Sequence, residues 1–127
     1  METRNSLIRR ELMPYYSESE SQQLREKFED IVLPWPDITK KKMFGSPTYS
    51  TGGTIFAMLV DGGIILSQLD DEKKAALLSG PDAEYFVAHG RVIRKWVLIR
   101  IQDIADIERF IPFIEASYTA AARGKQG

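Results

Sequence analysis

Few residues in this chain are able to carry chemistry. His89 is its single histidine, and it has no cysteine. The missing thiols exclude disulfides, thiolate-bound metals, iron–sulfur clusters and a cysteine nucleophile. His89 with carboxylates alone is a poor match to the usual zinc ligand sets. Its neighbour Gly90 makes a turn the better reading, because both residue types tolerate positive φ. A serine triad would need His89 as its base, and Ser46, Ser50 and Ser67 all lack the strand–turn–helix context of a G-x-S-x-G nucleophile. Asp61, Asp70 and Asp71 are close enough in sequence to suggest paired acid–base carboxylates. A turn role for Asp61 and a helix start at the other two already account for them. Gly45, Gly52, Gly53, Gly62 and Gly63 spell no phosphate-binding fingerprint and read as structural turns. No catalytic residue, cofactor or metal is expected, and the chain reads as a non-enzyme.

Lys40, Lys41, Lys42, Arg91, Arg94, Lys95 and Arg100 form the one set with a macromolecular reading. Phe44, Tyr49 and Trp96 lie near them in sequence, as base-stacking aromatics would. The charge balance weighs against nucleic acid: 17 Lys+Arg face 18 Asp+Glu, a net charge of -1, whereas phosphate neutralisation usually shows as a basic excess. Long cationic side chains on a solvated rim are the plainer account. A small-ligand pocket or an enzyme site beside Gly45–Pro47 ranks third, because no convergent polar groups mark one.

The elements that must position these residues centre on Lys40–Leu69. Ile38–Ser50 reads as a strand interrupted at Gly45-Ser46-Pro47, where a bulge or an edge position is expected. Phe44 is expected in the core, Gly45 at the backbone bend, and the three lysines in solvent. Thr51-Gly52-Gly53 and Asp61-Gly62 mark hairpin turns around Thr54–Val60, and Ile64–Leu69 follows as a third strand.

Before this stretch, Ser17-x-x-Glu20 has the spacing of a capping box. Leu24, Phe28, Ile31 and Val32 then give one helical face, which Pro34 and Pro36 end, with Trp35 read as core. After it, Asp70 caps a short helix ended by Ser79-Gly80-Pro81. Ala83–Ala88 and Arg91–Ile101 form a second hairpin. Asp103 caps a last helix whose stripe is Ile104, Ile107, Phe110, Ile111, Ile114 and Tyr118, with a break expected near Phe110 because of Pro112. The order α-β-β-β-α-β-β-α predicts a two-layer α+β domain with a five-stranded, largely antiparallel sheet covered by helices.

The domain is placed at residues 17–122, with an N-terminal arm at 1–16 and a fraying tail at 123–127. The N-terminus lacks the continuous apolar run of a signal peptide, and no stretch reaches the roughly 20 apolar residues of a membrane span, so a cytoplasmic location is expected. An open sheet has two edges that need protection. Pro47 and the lysines are expected to guard one of them, and a homodimer is expected.

Met43-Phe44-Gly45, then Gly53-Thr54-Ile55-Phe56-Ala57, then Asp61-Gly62 with Ile64-Ile65-Leu66, resembles the N-terminal domain of TfoX/Sxy proteins. Phe86, Gly90-Arg91-Val92, Trp96-Val97 and the closing amphipathic helix continue the resemblance, which spans roughly Ser17 to Ala122. It implies a small α+β domain similar to the secretion-chaperone-like architecture, here in a single-domain relative. Two-domain family members regulate natural competence with the cyclic-AMP receptor protein. The resemblance therefore implies a protein-interaction module with an unknown protein partner, in transcriptional regulation related to competence. Its motif positions here are Met43, Phe44, Gly45, Gly53, Phe56, Gly90, Arg91 and Trp96, and none is catalytic.

Overall fold

The strand segments close into six strands rather than five, because the chain turns once more than its glycines suggested. The computed structural model describes residues 15–124. Most of the expected arm, residues 1–14, and most of the expected tail, residues 125–127, lie outside that range. The elements are α1 (Glu18–Val32), β1 (Ile38–Met43), β2 (Ser46–Thr51), β3 (Thr54–Val60), β4 (Gly63–Leu66), α2 (Asp71–Leu78), β5 (Ala83–Ala88), β6 (Arg91–Arg100), a 3-10 helix (Ile104–Phe110) and α3 (Ile111–Arg123). All strand pairs are antiparallel, in the order β1-β2-β3-β4-β6-β5.

The expected long first strand is a hairpin. Phe44 and Gly45 both take positive φ, 54° and 81°, between the closing pair Met43 and Ser46. That is the φ pattern of a two-residue type I′ turn, which matches the twist of the strands it joins. Gly52–Gly53 and His89–Gly90 repeat the pattern at the next hairpins. At Asp61–Gly62 only the glycine uses positive φ. The expected bulge at Gly45–Pro47 is absent. A register shift lies instead at Tyr49/Ser50, where Phe56 of β3 is the extra residue. The bulge turns Phe56 and Ala57 toward the same helix-covered core, since a bulge breaks strict alternation.

Helices cover one face. Leu24, Phe28 and Val32 of α1, Ile107 and Phe110 of the 3-10 helix, and Ile114 and Ala121 of α3 pack on Tyr49, Leu59, Ile64, Leu66, Val97 and Ile99. Each fully buried Phe, Leu, Ile or Val contributes about 1.5–3 kcal/mol of transfer free energy. Pro112 falls in the first turn of α3, where its missing N–H costs nothing, so the 3-10 segment gives way to α-helix at Phe110 as expected. The opposite face carries a smaller cluster of Met58, Val60, Ile65, Phe86 and Leu98, with Tyr15, Ile93 and Trp96 against it. Gly63 sits where β4 meets β6, and a Cβ there would fall 2.6 Å from Leu98 Cδ1 and 2.9 Å from the Ile99 carbonyl.

The expected capping box does not form. Ser17 is the N-cap of α1 but makes no side-chain cap bond. Its backbone N–H and hydroxyl donate to the Asp61 carboxylate instead, the N–H at 2.8 Å, and Ser21 Oγ donates to the same carboxylate at 2.7 Å. Asp61 thus ties the start of α1 to the β3–β4 turn. Trp35 is half-buried and packs on Tyr118, ring centres 5.0 Å apart.

Candidate interaction surface

The antiparallel registers fix where each hairpin points. The Phe44–Gly45 and Asp61–Gly62 turns lie at one end of the sheet, and Gly52–Gly53 and His89–Gly90 at the other. β4 pairs only with residues 97–100 of β6, so residues 86–93 extend past it as a two-stranded ribbon.

Phe44 departs furthest from expectation. Expected in the core, it is 80% exposed at the tip of the first hairpin. An aromatic at positive φ brings its Cβ against the backbone, at a cost of about 1–2 kcal/mol, and here no burial offsets it. Lys41 and Lys42 stand exposed beside it on β1, which is an edge strand, and Met43 is half-buried. An apolar ring, preceded by two exposed lysines on the strand, is therefore held on a two-residue turn.

Lys40 belongs to a different arrangement. Its ammonium meets Glu29 of α1, which also accepts from Tyr49 Oη at 2.6 Å and pairs with Arg25 Nη1 at 3.0 Å. Burial pushes the Glu29 carboxyl up, but hydrogen bonds from Lys40 and Tyr49, with the Lys40 and Arg25 charges, outweigh it and hold it below its usual value. Burial and then the bond to Glu29 push the Tyr49 hydroxyl up. Arg25 also binds Glu18, and that bond, followed by one from Tyr16, lowers the Glu18 carboxyl to about 2. The network fastens β1 and β2 to α1. Its groups are matched to one another, which leaves no free nucleophile or base.

The expected basic set does not form one patch. Lys41 and Lys42 are on one edge of the sheet, while at the other side Arg91 is exposed on the ribbon and Arg94 and Lys95 are exposed in the irregularity at its base. Arg100 pairs with Glu84. Arg94 also lies over the Tyr85 ring, 5.8 Å from its centre. On the ribbon, Val87 and Val92 face each other across the strands, and each is 50% exposed. Trp96 packs on Phe86 in the second cluster, and Gly53, Phe56 and Gly90 serve the turns and the bulge.

Ser67 Oγ donates to the Ile55 carbonyl, a structural bond. Among the described residues no three His, Cys, Asp or Glu converge as a metal site. An open groove of about 370 Å³ beside α3 is lined by Asp70, Lys73, Glu115 and Arg123, a mixture of signs, and Asp70 is already engaged as the cap of α2. No described helix is long and apolar enough to cross a membrane.

Two residues that sequence reasoning missed hold the frame. Ser117 Oγ donates to the Phe56 carbonyl at 2.7 Å and accepts from Gln68 N–H at 3.1 Å. Glu29 joins Lys40, Tyr49 and Arg25. A serine inside the apolar stripe of the last helix was the available signal for the first, and no local signal marks the second. The chain matches no protein family, no curated protein and no solved structure in comparisons with each.

Proposed function

We propose that this chain is a non-enzymatic protein-interaction module of the TfoX N-terminal kind, and that Phe44 is its anchor. The observation that carries this reading is the 80% exposure of Phe44 at a positive φ. A strained, solvent-facing aromatic contributes nothing to folding, whereas aromatics dominate interface hot spots once a partner pocket encloses them. Lys41 and Lys42 beside it favour a partner pocket with an acidic rim. The antiparallel α+β architecture and the Met43-Phe44-Gly45 element are in keeping with the resemblance, and a role in transcriptional regulation related to competence is the process it suggests. A cytoplasmic location belongs to the same reading.

A photo-crosslinking phenylalanine analogue placed at position 44 in the native host tests it, with the same analogue at Leu33, 44% exposed, as the control. A discrete adduct is expected from position 44 alone, competed by excess wild-type chain and not by Phe44→Ser chain. Equal adducts from both positions, or equal competition by both chains, would sink the reading.

One observation favours a second reading. Arg91, Arg94 and Lys95 lie in a stretch, 85–99, that contains no carboxylate, and a two-stranded ribbon fits the DNA major groove. DNA affinity would then fall steeply with salt through counterion release. The absence of a gel shift at low salt would remove it.

A further inference from the structure

We infer that two copies of this chain join through the outer edge of β5, antiparallel, with the two-fold axis at Phe86. This goes beyond the Phe44 reading and uses a different surface. β1 and β5 are the two edges of the sheet, and they are protected unequally. Lys40, Lys41 and Lys42 occupy half of β1, and edge lysines block strand pairing because their charge would be trapped at a seam. Pro47, expected to help there, sits on β2 and not on the edge. β5 reads Ala-Glu-Tyr-Phe-Val-Ala, its one charge is bound to Arg100, and Val87 is half exposed. Among the described residues no strand pairs with its outer side. The one irregularity of this hairpin is on the inner strand, where Arg94, Lys95 and Trp96 of β6 fall between the partners of Tyr85 and Phe86. β5 itself runs unbroken from Ala83 to Ala88.

The hairpin turn fixes which β5 amides face outward. Ala88 and Arg91 close the two-residue turn, and such a closing pair exchanges both hydrogen bonds. The next residue back, Val87, is then in a non-bonded pair with Val92, so its N–H and C=O point away from β6, and by alternation those of Tyr85 do too. A second β5 laid antiparallel about Phe86 sets Tyr85 opposite Val87, both with outward groups; by the same alternation Ala83 faces outward too and falls opposite His89. The same register sets Phe86 opposite Phe86 and Glu84 opposite Ala88, so no like charges meet. Val87 is covered by the partner's Tyr85. The product is one continuous twelve-stranded sheet, with β1 and its lysines at both ends.

Amide hydrogen exchange across a concentration series, read with sedimentation, tests the pairing. Tyr85 and Val87 amides are expected to gain tenfold or greater protection as dimer forms, with Lys41 and Lys42 unchanged. Val87→Pro removes one outward N–H and no bond to β6, so it is expected to shift the chain to monomer with an unchanged circular dichroism spectrum. Where that variant fails to fold, the wild-type exchange pattern decides. A monomer at every concentration, exchange at Tyr85 and Val87 that ignores concentration, or a dimer that survives folded Val87→Pro each overturns the inference.

Discussion

The β1–β2 and β5–β6 hairpins share a turn geometry and differ in what occupies it. Phe44–Gly45 and His89–Gly90 have nearly the same φ angles, 54° and 81° against 53° and 78°. Histidine is among the residues that accept left-handed backbone, and phenylalanine is not. The first hairpin is also fastened to α1 by Lys40, Glu29 and Tyr49, while the second runs past its neighbouring strand and is tied to α2 by Lys74 Nζ, which donates to the Arg94 carbonyl at 3.3 Å. The strained residue thus sits on the hairpin fastened by charge pairs to a helix, and the relaxed residue on the one that outruns its neighbouring strand. A tip that must present a ring in one orientation benefits from a rigid base, whereas an edge that pairs with another strand benefits from freedom to adjust.

The largest expected effect comes from the seam between the halves that carry the two hairpins. Gly63→Val forces atoms into Leu98 and the Ile99 carbonyl, and should cost about 3 kcal/mol in denaturant unfolding. A loss below about 1 kcal/mol would mean that the two halves part easily and that the hairpins are independent units.

Next come the turn glycines. Gly45→Ala and Gly90→Ala should each cost about 1–2 kcal/mol, because both positions are left-handed. Unequal costs would break the claim that the turns are the same. Replacing the residue before each glycine separates them. Phe44→Asn should raise stability by about 1 kcal/mol, while His89→Asn should stay within about 0.5 kcal/mol of wild type. A destabilised Phe44→Asn would show that the ring has a structural role after all.

The smallest effect is on acid stability, and it should be confined to the anchored hairpin. Glu18 and Glu29 are held below the usual 4.5, Glu18 at about 2. A lowered carboxyl stabilises the fold above its unfolded value, and that stabilisation is lost as pH falls through its folded value. Between about pH 4.5 and pH 2, β1 and β2 amides should therefore lose exchange protection before those of β5 and β6, and Glu29→Gln should reduce the difference. Simultaneous loss in both hairpins would mean that the network does not anchor the first.

Glycine made most of the fold readable. Gly52, Gly53, Gly62 and Gly90 marked turns that form where expected, and Asp70 and Pro112 marked a helix start and a break. Phe44 misled on both strand count and burial. Phe-Gly carries no turn signal, and an aromatic is buried more often than not. The bulge at Phe56 has no glycine to announce it and depends on contacts with Ser117, 61 residues away in the chain. Asp61 read correctly as a turn residue, yet its bonds to Ser17 and Ser21 span 44 and 40 positions that no local pattern links. The lysines read correctly as solvated, but alternation alone hid that Lys40 finds Glu29.

Ser117 has a consequence for synthesis. Every strand of the meander leaves the ribosome before the hydroxyl that satisfies the Phe56 carbonyl and the Gln68 amide. Domains fold as units during translation, but a nascent chain ending before α3 keeps those two groups without their partner and lacks the Ile114 and Ala121 cover of the sheet. It is in this interval, with the strands made and the final helix still to come, that the polypeptide most needs a holding chaperone.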